Sequence, residues 1–242
     1  MMRRRKRRMK AIFKKEFRAY FLSPIGYIFV GVFTALSAMF FLGSSISYQT
    51  ADIGGLFSNI NVVCLFLVSI LTMRLLSEEK NKKTDQLLLT APVSVAEIVV
   101  GKYLAAMAVF GVTVLISFVF PAVLFMFGEP PVGEMIGAYI GFILLWGSFI
   151  AIGVLISALT ESQMIAAVFT FGVLLLIYFM DWFTGSVTNK ALLTVLQWVS
   201  LLRRYDEFQN GILSITNIIY YLSFIFVVLF LTVRTIEKRR YS

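Results

Sequence analysis

The sequence predicts an all-α membrane protein: a single transmembrane domain over residues 1–242 with six spanning helices. Three shorter features accompany them: an amphipathic helix at 9–22, a cytoplasmic helix between spans two and three, and an outer helical element between spans five and six. Three observations carry this reading. Hydrophobic residues make up 59% of the chain and charged residues 14%, with a mean hydropathy of +0.87, where a soluble domain carries roughly 25% charged residues. The apolar residues fall in long runs at 24–46, 57–73, 103–127, 135–159, 164–180 and 215–233, near the ~20 residues needed to cross ~30 Å of hydrocarbon. Finally, the lysines and arginines crowd into alternate connecting segments, the signature of a fixed orientation.

Ten basic residues precede Pro24: Arg3, Arg4, Arg5, Lys6, Arg7, Arg8, Lys10, Lys14, Lys15 and Arg18. Within this arm Phe13, Phe17, Tyr20 and Phe21 recur at helical spacing, with Lys10, Lys14, Lys15 and Arg18 around the other face. That pattern predicts a helix lying in the cytoplasmic interface with its aromatic side in lipid. Ser23 and Pro24 read as N-cap and first helical position of span one. The apolar run that follows exceeds a signal-peptide core and lacks a small-residue cleavage site, so it is expected to be retained.

Arg74, Lys80, Lys82, Lys83 and Lys102 lie between spans two and three, and Arg234, Lys238, Arg239 and Arg240 follow span six. With six spans, these and the arm place 19 of the 22 basic residues on one side, leaving Lys190, Arg203 and Arg204. Both termini are therefore expected in the cytoplasm, with the protein multi-pass in a cell membrane. The net charge of +9 is accounted for by this asymmetry and by attraction to anionic headgroups, with no nucleic acid called for.

The missing residue types narrow the chemistry. There is no histidine, and the only cysteine is Cys64, so neither a metal centre nor bound haem or iron–sulfur cofactor has ligands. Cys64 lies in an apolar run and reads as a small packing residue. None of the six apolar cores contains Asp, Glu, Lys or Arg, although ion-coupled carriers usually keep such a residue in the membrane. No G-x-x-x-x-G-K-[ST] phosphate loop is present. No catalytic residue is assigned, the chain is not read as an enzyme, and any driving energy is expected from another polypeptide.

Between spans two and three, Glu78, Glu79, Lys80, Lys82 and Lys83 are expected to stay wet. Thr84 and Asp85 suit a helix N-terminus, Leu87, Leu88 and Leu89 follow, and Pro92 ends the turn. Ser94 and Glu97 form an S-x-x-E capping box leading into span three. The short leucine-bearing helix either docks on another protein or folds back on the bundle. Pro121 is expected to kink or end span three. In span four, Gly133, Gly137 and Gly141 recur every four residues, a close-packing stripe for a neighbour within the bundle or in another subunit. Beyond span five, Asn189 can cap a helix bearing Leu192, Leu193, Val195, Leu196, Val199 and Leu202, with Trp182, Trp198 and Tyr205 at interfacial depth. That element is re-entrant or lies flat on the surface.

These residues also carry a resemblance. Glu78-Glu79-Lys80, Thr84, Leu87–Leu88, Pro92–Ser94 and then Glu97-Ile98 and Gly101-Lys102-Tyr103 resemble the stretch joining spans two and three in permeases of ABC-2 type transporters. Gly153, Ser157, Leu159, Thr160, Gln163 and Ala166 are similar to that family across the loop between spans four and five. The FLSPIGYIF start of span one and the stretch Arg204–Tyr221 look like its gliding-motility-associated branch. At 81–83 this chain departs from the glycine that many relatives place before the threonine.

The resemblance implies a permease half that pairs with a second permease, as homodimer or heterodimer, in a bacterial inner membrane. A membrane-anchored auxiliary subunit is a further candidate partner. Each half seats a separate ABC ATPase, so ATP acts through that partner and is not bound directly. It implies that 78–92 is the coupling element, through Glu78, Glu79, Thr84, Asp85, Leu87, Leu88 and Pro92. Thr160, Glu161 and Gln163 would be a second, smaller cytoplasmic contact. The function implied is ATP-driven export, the alternatives being an ATP-independent secondary carrier and a membrane scaffold or assembly subunit regulated by an ATPase.

Overall fold

A computed structural model describes residues 2–43, 53–83, 93–127, 130–184 and 200–240. The described residues are helical and include no strand. Helix α1 (Met2–Leu22) leads into α2 (Pro24–Phe41), followed by α3 (Ile53–Thr72), α4 (Arg74–Asn81), α5 (Val95–Ser117), α6 (Val119–Phe127), α7 (Val132–Leu159), α8 (Gln163–Thr184), α9 (Leu201–Gln209) and α10 (Ile215–Arg240). Six stretches are long and apolar enough to cross a membrane, as the hydropathy runs predict: Pro24–Phe41, Gly55–Asn81, Val95–Met126, Val132–Leu159, Gln163–Met180 and Ile215–Lys238.

The boundaries differ from the apolar runs where charge is buried. Span two continues through α4, and span three begins at Val95 rather than Tyr103. Both extensions pass through ionisable residues that a hydropathy run leaves out. At α1 the difference is one of facing. Ile12, Glu16 and Tyr20 turn toward the bundle, with Glu16 and Tyr20 buried, so the helix is docked and not simply afloat in the interface. Phe13, Phe17 and Phe21 form a half-buried stripe beside that contact.

Span four is the centre. Of its span window 78% is buried, against 28%, 17% and 22% for spans one, five and six. Lipid offers little hydrophobic force between helices, so dense side-chain contact must hold them. Trp146 on α7 stacks on Phe110 of span three at 4.4 Å and meets the edge of Phe33 of span one at 5.6 Å. Phe142, one turn earlier, stacks on Phe57 of span two at 4.3 Å.

Pro121 kinks span three without ending it. The helix breaks at Phe118 and resumes as α6. A proline has no N–H to give the carbonyl four residues back, which here is Ser117, and the Tyr139 hydroxyl donates to that oxygen at 2.9 Å. Ser23 occupies the N-cap position of span one, but its hydroxyl makes no cap. It accepts instead from the Arg74 guanidinium at 2.8 Å.

The glycine stripe packs within the chain. A Cβ on Gly137 would strike the Phe208 carbonyl, and one on Gly141 would meet Phe208 and Tyr205, whereas Gly133 faces open space. The residues that fill the stripe belong to α9, the described part of the element between spans five and six. Tyr205 is therefore buried against span four. Burial pushes its phenol pKa upward. Trp198 and residues 189–199 lie outside the described residues, as does the side chain of Trp182.

Candidate functional site at the basic end of the bundle

At the end where α1 docks, three elements meet around one ammonium group. Lys102, in the second turn of span three, is 1% exposed. Its Nζ lies 3.1 Å from Glu16 Oε1 on α1 and 2.9 Å from Glu79 Oε1 on α4, and it donates to the Leu75 carbonyl. Of the three donors an ammonium has, two are hydrogen-bonded, to Glu16 and the Leu75 carbonyl, and Glu79 adds an ion pair. Two carboxylates face one cation, with Lys102 and Glu16 buried and Glu79 partly so. Breaking one member of such a cluster leaves an uncompensated charge, which is strongly unfavourable.

The local sequence explains how the cluster forms. Ser94 Oγ accepts from the Glu97 amide and the Glu97 carboxylate accepts from the Ser94 amide, both at 3.3 Å, so the capping box starts α5 where the sequence places it. One turn later Gly101 lets Ile12 approach: a Cβ there would lie 3.0 Å from Ile12 Cγ2. The next residue, Lys102, then reaches Glu16, one turn after Ile12. Tyr103 bonds the Gly147 carbonyl of span four at 3.2 Å. Thus Glu97, Gly101, Lys102 and Tyr103 respectively start the helix, admit α1, bind it and tie it to the centre.

A second joint lies on α4. Near its start two backbone amides, Leu76 N and Ser77 N, donate to Ser157 Oγ of span four at 3.0 and 3.1 Å. Ser157 in turn donates to the Met73 carbonyl at 3.1 Å. Gly153, one turn earlier, faces Thr72 so closely that any Cβ would collide with it. Lys80 reaches the Ala158 carbonyl. Arg74 lies over the Tyr20 ring at 5.2 Å, and the Tyr20 hydroxyl donates to the Leu71 carbonyl at 2.6 Å. Burial raises the Tyr20 pKa, so the hydroxyl stays a donor.

The sequence-predicted residues divide in three. Glu78 and Glu79 are on α4, but they face this chain: Glu78 pairs with Arg74 at 3.5 Å and Lys82 at 2.7 Å, Glu79 with Lys102. Thr160, Glu161 and Gln163 lie at the turn between spans four and five. Thr160 caps back onto Ile156, Glu161 is exposed and Gln163 opens α8. That turn adjoins α4 through the Lys80–Ala158 bond, so the two predicted contact regions are neighbours. Thr84, Asp85, Leu87, Leu88 and Pro92 lie outside the described residues. At the start of that stretch Lys83 has φ 54°. It occupies the left-handed position that ends many helices and normally selects glycine.

A family model described as ABC-2 family transporter protein matches residues 10–236. The chain belongs to that family. No curated protein matches it. The match begins within α1 and ends within α10, so Glu16, Glu79 and Lys102 all lie inside the matched stretch of an ABC-2 transporter membrane protein with six candidate spans.

Sequence reasoning missed Glu16, Arg74 and Lys102 as a set, counting the two cations only toward orientation. A signal was available for Glu16. It is the only acid before span one, and it stands between Ile12 and Tyr20 at four-residue intervals.

Proposed function

We propose that this ABC-2 protein is the membrane subunit of an ATP-driven exporter whose ATPase is a separate polypeptide seated against 84–92 on the cytoplasmic side. The observation that supports it is the joint just described. Helix α4 leads directly into 84–92, and it is tied at one end to span four by Ser157 and at its flank to span three and α1 by Lys102. A push on 84–92 reaches three spans through short, directional bonds.

In this reading Leu87 and Leu88 anchor the ATPase, with Thr84, Asp85 and Pro92 shaping the helix, and Thr160, Glu161 and Gln163 form the lesser contact. Glu78 and Glu79 transmit the movement inside the permease. Two permeases pair to enclose the pathway in a bacterial inner membrane, with both termini cytoplasmic. The starts of span one and span six favour the gliding-type branch, without assigning gliding as the process.

The experiment is copurification of the ATPase with Leu87→Asp and Leu88→Asp variants, followed by ATP-dependent export in proteoliposomes. Burying a leucine is worth roughly 1.5–3 kcal/mol, so each variant should lose ATPase binding while inserting normally. Wild-type binding and transport by both would remove 84–92 as the coupling helix. Transport without any ATPase would favour a secondary carrier.

A further inference from the structure

Helix α1 has three faces. Ile12, Glu16 and Tyr20 meet the bundle, and Phe13, Phe17 and Phe21 form the aromatic stripe, with ring centroids 5.9 and 5.1 Å apart. The third face, turned away from the bundle, carries Ala11, Lys14, Lys15, Arg18, Ala19 and Leu22. Small alanines between long cations leave a shallow open groove of about 520 Å³ there. Leu22, 76% exposed, closes it on the side of span one.

The cations of this groove differ from those on α4 and at the start of span three. Arg74, Lys80, Lys82 and Lys102 all bond to carboxylates or carbonyls of the chain. Lys14, Lys15 and Arg18 are exposed and, among the described residues, have no anionic partner. Nor can the helix turn to find one, because Glu16 and Tyr20 hold its opposite face. Three unneutralised charges are thus fixed around one depression.

We propose that this groove seats the phosphate headgroup of an anionic phospholipid. Its position favours a lipid over a soluble anion. Ser23 and Pro24 begin span one immediately after Leu22, which puts the groove at headgroup depth. Lysine and arginine at that depth attract anionic lipid directly. Leu22 offers apolar surface where an acyl chain would leave the phosphate, a contact that a free phosphate ion cannot use. The site is independent of any ATPase.

Full-length protein in mixed phosphatidylcholine–phosphatidylglycerol micelles, with retained lipids counted by native mass spectrometry, tests the proposal. The groove variant is Lys14→Gln/Lys15→Gln/Arg18→Gln. The control, Arg3→Gln/Arg4→Gln/Arg5→Gln, removes the same charge from the arm. Each basic residue near an anionic surface is worth about five-fold in lipid partitioning. The groove variant should therefore lose phosphatidylglycerol preference by up to about 100-fold, with the control within a few-fold of wild type. Arg18→Gln alone should cost about five-fold, and gives the same answer if the triple variant accumulates poorly. Unchanged preference in the groove variants, or equal loss in groove and arm variants, overturns the site. Displacement of the lipid by millimolar glycerol 3-phosphate would instead mark a soluble-phosphate site and overturn the lipid assignment.

Discussion

Span four receives a short helix at each of its ends, and the two are attached by different chemistry. At the basic end α4 is held by a hydroxyl and by charge: Ser157 on the first-turn amides, Lys80 on the Ala158 carbonyl, and Lys102 between two carboxylates. At the opposite end α9 is held by shape, with Phe208 and Tyr205 pressed onto Gly137 and Gly141. Directional bonds of the first kind can be broken and remade with little change in packing. A glycine-seated aromatic cannot leave without opening a void. The difference lies in the contact with span four itself: α4 meets it through directional bonds and α9 through packing, while α9 takes its hydrogen bonds from spans two and six.

The strongest way to break that comparison is at the ammonium. Lys102→Met should cost about 3–5 kcal/mol, because it leaves Glu16 and Glu79 facing each other with no cation between them. Adding Glu16→Gln and Glu79→Gln should restore most of the loss, since neutral groups replace the orphaned charges. Denaturant titration in detergent measures both. Wild-type stability in Lys102→Met alone would mean that water reaches the cluster and the joint is not electrostatic.

The steric end should answer next. Gly137→Val drives a side chain into the Phe208 carbonyl, and overpacking of this kind costs about 1–3 kcal/mol, with more where backbone must move. Gly133→Ala, which meets nothing within 4 Å, should stay within about 0.5 kcal/mol of wild type. Equal melting temperatures for the two variants would show that α9 yields easily.

Ser157→Ala should cost about 1–3 kcal/mol through the bonds it removes at Leu76 N, Ser77 N and the Met73 carbonyl, and should speed hydrogen exchange at Leu76 and Ser77. Ser148→Ala is the matched comparison, because that hydroxyl bonds only the Leu144 carbonyl of its own helix, and its effect should be much smaller. If exchange at Leu76 and Ser77 is unaltered in Ser157→Ala, α4 is held by other contacts. The smallest effect has the opposite sign. Lys83 sits at positive φ, which costs a non-glycine residue roughly 1–2 kcal/mol, so Lys83→Gly should raise stability by about 1 kcal/mol. A lower melting temperature would mean that the lysine's charge outweighs its backbone strain.

Much of this was legible in one dimension because lipid imposes a length and a polarity on each span. The six spans, the Ser94–Glu97 capping box and the Pro121 kink all follow from local rules that act within a few residues. The packing of Tyr205 was not legible because an aromatic near a span end satisfies the same local rule whether it faces headgroups or a glycine groove. Glu79 was read as a wet charge for the same reason: its neighbours in sequence are polar, and its neighbour in space is Lys102.

What the sequence alone determined was that six segments are long and apolar enough to span a membrane, roughly where they fall, and that the chain carries no phosphate loop. Those properties depend on composition over a window and on short-range backbone geometry, and so survive any rearrangement of the helices. Only the tertiary structure decided which face of α1 is docked, that the glycine stripe seats α9, and that Glu16, Glu79 and Lys102 share one buried site. These three residues are separated by 63 and 23 positions, as their numbering shows. No local rule couples charges so far apart; their pairing is set by which helices pack together, and by the high cost of burying any one of them alone.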